Sequence, residues 1–89
     1  MQNSMTNKQK LYVRFVSFRG DTIAVFMRAS AQRRWDGTQW LRGCYQHIGQ
    51  HGECYDGMVK RKRATRGEYL PLLDELCRVG YDVVNVDAK

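Results

Sequence analysis

Along the first third of the chain, apolar positions fall into two short runs, Leu11-Tyr12-Val13-Arg14-Phe15-Val16-Ser17-Phe18 and Thr22-Ile23-Ala24-Val25-Phe26-Met27. Both are rich in β-branched and aromatic side chains, the composition of strands. Gly20-Asp21 between them suits a two-residue type II′ hairpin, which would pair Phe18 with Ile23, Val16 with Val25 and Arg14 with Met27. One face of that hairpin shows Leu11, Val13, Phe15, Ala24 and Phe26. The other shows Tyr12, Val16, Phe18, Ile23, Val25 and Met27. A strand pair apolar on both faces belongs in the centre of a sheet or at a dimer interface.

A second turn signal, Asp36-Gly37, fits a type I′ turn pairing Trp35 with Thr38 and Arg33 with Trp40. Trp40 to Ile48 continues as a strand until Gly49 and Gly52 interrupt it around Gln50-His51, and Tyr55 to Val59 resumes it. Further on the period changes. Tyr69, Leu72, Leu73, Leu76 and Cys77 recur at i, i+3, i+4, i+7 and i+8, an amphipathic helix with Asp74, Glu75 and Arg78 on its polar side. Thr65 with Glu68 forms a capping-box pattern, and Gly80 suits the left-handed position that ends a helix. Pro71 cannot donate to Gly67, which predicts a kink or a later start near Leu70. Tyr81 to Val86 reads as a closing strand. Strands first, then one helix and a last strand, define an α+β fold: a small antiparallel sheet, hairpins first, covered by one C-terminal amphipathic helix.

Composition bounds the class of protein. Eighty-nine residues with 43% apolar and 27% charged side chains suit one globular domain. Residues 1–10 read as a flexible leader before a domain of residues 11–89. The longest apolar runs fall far short of the roughly 18 residues of a membrane span, no signal sequence is visible, and the expected compartment is the cytoplasm. Three cysteines, Cys44, Cys54 and Cys77, are an odd number in that setting and are read as reduced thiols. The Arg19-Gly20-Asp21 tripeptide is read as a turn, since nothing points to secretion.

Charge is uneven. Residues 1–66 carry 13 Lys and Arg against 4 Asp and Glu, whereas residues 67–89 carry 2 against 5. Such a basic body attracts polyanions. Its strongest feature is Lys60-Arg61-Lys62-Arg63 with Arg66, five cations placed just before the predicted helix, where the positive end of the helix dipole adds to their repulsion and an anion would relieve it. A second cluster, Arg28, Arg33, Arg34 and Arg42, interleaves with Trp35 and Trp40, joining phosphate-binding guanidinium groups to indole faces that stack on unpaired bases. The same residue types also dominate protein interfaces.

Cys44, His47, His51 and Cys54 offer zinc-type ligands spaced C-x2-H-x3-H-x2-C. The spacing differs from that of common zinc modules, and alternate strand residues point to opposite faces, so the chain is read as metal-free and without cofactor. A Cys/His nucleophile pair, or a ribonuclease site from His47, His51 and Glu53, lacks a demonstrated positioned base and charge stabilisation, and the chain is read as non-enzymatic.

Tyr45 to His51, followed by Thr65 to Gly80 and the Tyr81-Asp82 strand start, resembles short uncharacterised proteins of enterobacterial prophages and plasmids. The resemblance covers roughly residues 44 to 86 and implies an accessory protein of a mobile element. The reading from sequence is a nucleic-acid-binding accessory module that uses Lys60, Arg61, Lys62, Arg63, Arg66, Arg33, Arg34, Trp35 and Trp40. Its alternative is a homodimerising or protein-binding accessory factor.

Overall fold

The computed structural model describes residues 9–28, 32–35, 37–46 and 50–88, the side chains of residues 32–34 and 50 excepted. The elements follow the order β1 (Lys10–Phe18), β2 (Asp21–Phe26), β3 (Gln32–Trp35), β4 (Trp40–Gln46), β5 (Gln50–Tyr55), a 3-10 turn (Asp56–Lys60), α1 (Arg66–Val79) and β6 (Asp82–Asn85). All six strands join one sheet in the order β3-β4-β2-β1-β6, and β5 also pairs with β4. The fold is α+β, with one helix and a closing strand. The first eight residues of the predicted leader lie outside the described residues. Lys10 already opens β1, and the Gln9 carbonyl accepts from the Asp82 amide.

The β1–β2 hairpin sits centrally, and both of its faces are covered. Its register differs from the predicted one by two residues: Phe18 pairs with Asp21, Val16 with Ile23 and Arg14 with Val25. The turn residues are Arg19 and Gly20, with φ of 53° and 84°. Positive φ at both central positions is the type I′ geometry, which matches strand twist and places glycine second. A two-residue slip leaves every side chain on its predicted face, because the strand period is two.

On one face Val13, Phe15, Ala24, Phe26 and Tyr45 pack beneath Leu72 and Leu76 of α1. On the other, Val16, Ile23, Val25 and Cys44 pack beneath Met58 of the 3-10 turn. Of the strand expected from Tyr55 to Val59, only Tyr55 is in a strand, as the last residue of β5, and residues 56–59 lie in the 3-10 turn that covers the second face.

β4 and β5 form their own hairpin, from Leu41 opposite Tyr55 to Gln46 opposite Gln50. Gln50–Tyr55 is therefore a strand and not an interruption. Residues 47–49, between the two strands, lie outside the described residues. Gly52 is tolerated because it lies opposite Cys44 on a strand paired only to β4. The β3–β4 connection also corrects expectation. Trp35 pairs with Trp40 and Gln32 with Arg42, so four residues separate the paired tryptophans. The indole rings meet at 5.7 Å, a cross-strand aromatic contact that favours this longer loop. Gly37 keeps the positive φ expected of the turn, and Asp36 is outside the described residues.

α1 begins at Arg66 with the predicted capping box: Glu68 N–H donates to Thr65 Oγ1 and Thr65 N–H donates to the Glu68 carboxylate. It ends at Gly80, φ 120°, whose N–H donates to Cys77 O while Tyr81 N–H donates to Leu76 O. The helix runs through Pro71 without a later start. The bond forfeited there is that of the Gly67 carbonyl, on the exposed first turn of the helix. Leu72 and Leu76 are buried, but Cys77, placed by its spacing on the apolar stripe, is exposed.

The sheet is antiparallel except at its closing edge, where β6 runs parallel to β1, from Lys10 opposite Asp82 to Val13 opposite Asn85. The same edge of β1 also receives residues 62–64: Ser17 N–H donates to Lys62 O, and Ala64 N–H donates to Phe15 O. Fourteen helical residues, at about 1.5 Å each, carry the chain from the level of Phe15 back to that of Lys10. The reversal at Gly80 then sends β6 along β1 in the same direction.

Candidate nucleic-acid interface

The basic run is pinned rather than looped out, because the backbone of residues 62–64 hydrogen-bonds to β1. That attachment sorts its side chains. Arg63 turns to the C-terminal end, where its Nε lies 3.1 Å from Asp87, a carboxylate shared with Arg14 at 3.0 Å. It also donates to the carbonyls of Val59 and Arg61. Lys62 and Arg66 are exposed near the start of α1, and the charge of Lys62 contributes to lowering the pKa of Glu68. The capping box already satisfies part of the helix N-terminus. Glu68 occupies the place where the repulsion among the cations would otherwise draw an anion, and its carboxyl is held below its ordinary value, first by the Thr65 backbone N–H.

Lys60 and Arg61 point elsewhere. The Arg61 guanidinium lies 5.0 Å from the centre of the Phe18 ring, and that of Arg19 lies 5.1 Å from the same centre. Phe18, Arg19, Ile23, Cys44, Cys54, Tyr55 and Met58 are among the residues lining an open groove of about 670 Å³. Tyr55 and Met58 are shared with a second hollow of about 370 Å³, lined also by Gln39, Gly57, Lys60 and Arg61. Gln39 immediately precedes Trp40. Gln39 thus brings the chain next to Trp40 beside Lys60 and Arg61.

Trp35 and Trp40 are 53% and 48% exposed, and Tyr55 is 54% exposed, so three aromatic side chains remain open to solvent. Arg33 and Arg34 lie on β3, and their side chains are outside the described residues. Arg42 leaves the proposed cluster. It is buried, bonds Asp56 through Nε at 2.8 Å and through Nη2 at 2.7 Å, and donates to Phe26 O at 2.8 Å. Its charge is spent on joining β4 to β2 and the 3-10 turn. Arg28 stacks on Tyr12, with its guanidinium 3.7 Å from the ring centre.

Phe18, Arg19, Tyr55 and Met58 are site residues that the sequence pattern alone does not single out. Their one local signal is the Phe18-Arg19 adjacency of an aromatic and a cation at a turn.

Cys44 and Cys54 share the groove face, whereas His51 packs edge-on against Tyr45 at 4.6 Å on the helix side, with Nε2 3.4 Å from the Tyr81 hydroxyl. His47 lies outside the described residues. No three His, Cys, Asp or Glu side chains among the described residues are grouped to hold a metal. Among those residues, too, no helix is long and apolar enough to cross a membrane. No family model matches the sequence, and no curated protein or solved structure shows significant similarity to it.

Proposed function

We propose that the chain is a non-enzymatic nucleic-acid-binding module whose contact surface is the sheet face opposite α1. The observation that carries this reading is the pair of guanidinium groups, Arg19 and Arg61, set over Phe18 on a groove that continues past exposed Tyr55 to Lys60. A cationic track with open aromatic faces suits the phosphates and unpaired bases of a single strand. An accessory role on a mobile element is compatible with such a small, basic chain.

The test is polynucleotide binding as a function of salt. Replacing Lys60 and Arg61 with alanine weakens binding irrespective of sequence, and the slope of log K against log salt becomes shallower by about one unit for each phosphate no longer neutralised. Arg63 is left in place because it braces Asp87. If the parent protein does not bind polynucleotide near physiological salt, or the double variant binds equally well, the reading fails.

One observation favours the protein-binding alternative: Trp35 and Trp40 stand side by side and half exposed, as interface anchors do. Such an interface would respond weakly to salt.

A further inference from the structure

Three sulfur-bearing side chains converge on the wall of the same groove. Cys44 projects from β4. Cys54 lies opposite Arg42 on β5, two positions along from Cys44 and on the same face. Met58 closes over both from the 3-10 turn, buried in one cluster with Cys44 and Cys54. All three line the groove.

We propose that Cys44, Cys54 and Met58 form a binding site for a soft monovalent metal ion of the copper(I) type, independently of any nucleic-acid role.

The chemistry follows from the donor set. Two thiolates and a thioether are soft ligands, and such sets select copper(I) over harder cations. Zinc needs four donors, commonly thiolate and imidazole, and the His51 ring lies with Tyr45 and Tyr81 on the other face of the sheet. A two- or three-coordinate d10 ion has no such need. Binding exchanges one copper(I) ion for two protons released to solvent, with no electron transferred. Cys77 stands apart, exposed on α1, and serves as an internal control.

The test titrates copper(I) anaerobically into the Cys77→Ser protein against a chromophoric copper(I) chelator. One equivalent binds, and Cys44→Ser or Cys54→Ser in that background weakens binding by more than about 100-fold, beyond the loss expected for a residue that merely orients a ligand. Met58→Leu has a smaller effect. A second measurement needs no variant: in the parent protein, copper(I) protects Cys44 and Cys54 from alkylation while Cys77 stays reactive. The assignment is overturned if the Cys77→Ser protein takes no copper(I) from the chelator. It is equally overturned if Cys44→Ser keeps the affinity, if zinc binds as tightly, or if copper(I) leaves all three cysteines equally reactive.

Discussion

The hydroxyl of Tyr45, wholly buried in β4, donates to the carboxylate of Glu75 on α1. Helical spacing assigns Glu75 to the polar side of the helix, yet this contact makes it a polar tie between the helix and the sheet. A buried tyrosine hydroxyl needs an acceptor, and the helix supplies a charged one.

Removing either partner therefore destabilises the fold. Tyr45→Phe and Glu75→Gln are each expected to cost about 1 to 3 kcal/mol, the range for hydrogen bonds to charged groups and for unsatisfied buried polar groups. Urea unfolding of both single variants and the double variant checks this, with a coupling energy above about 0.5 kcal/mol expected for groups that touch. Additive effects would show that the two groups act independently.

The apolar side of α1 makes a sharper contrast. Leu76→Ala empties a fully buried site and is expected to cost about 2 to 5 kcal/mol, whereas exposed Cys77→Ala should stay within about 0.5 kcal/mol. Leu73, only half-buried, should fall between them. Equal losses at positions 76 and 77 would contradict the packing.

The capping box gives a pH dependence with a definite sign. The folded pKa of Glu68 lies below its ordinary value of 4.5, mainly through the Thr65 backbone N–H. A depressed carboxyl pKa contributes stability that is fully present above 4.5 and is lost as pH falls through the lower folded value. Glu68→Gln should therefore flatten the acid limb of a thermal stability profile, with its difference from the parent largest above pH 4.5. An unchanged acid limb would exclude the cap as its source.

If single-stranded bases stack on the exposed indoles, Trp35→Ala and Trp40→Ala should each weaken single-strand binding by about 1 to 3 kcal/mol. The salt slope should not change, because every phosphate keeps its cation. Duplex binding should be less affected. Fluorescence titration with homopolymers at several salt concentrations separates this from the loss caused by replacing Lys60 and Arg61.

Much of the architecture was legible because it is written in local terms. The i, i+3, i+4 recurrence from Tyr69 to Leu76, the Thr65/Glu68 cap and the Gly80 stop each depend on residues within a few positions of one another. The two apolar faces of the first hairpin survive a register error because alternation, not the turn type, decides them. Asp36-Gly37 and Gly49 to Gly52 misled for the opposite reason. A glycine signals that a turn is allowed, but the pairing of Trp35 with Trp40 and of Gln50–Tyr55 with β4 is fixed by side chains and edges that meet only in the sheet.

The candidate site divides along the same line. Sequence alone identified a basic chain, an α+β order and the cations and indoles available for binding, since charge and residue type need no folding to be counted. Tertiary structure decided which of them are free. Arg42 and Arg63 are drawn into ion pairs with Asp56 and Asp87, whereas Arg61 sits over Phe18 and lines, with Lys60, the hollow that Tyr55 also borders. Cys44, Cys54 and Met58 share one groove because a hairpin and a 3-10 turn bring them together. An ion pair or a ligand set depends on distances across the folded chain, and the order of residues carries those distances only after the strands have found their partners.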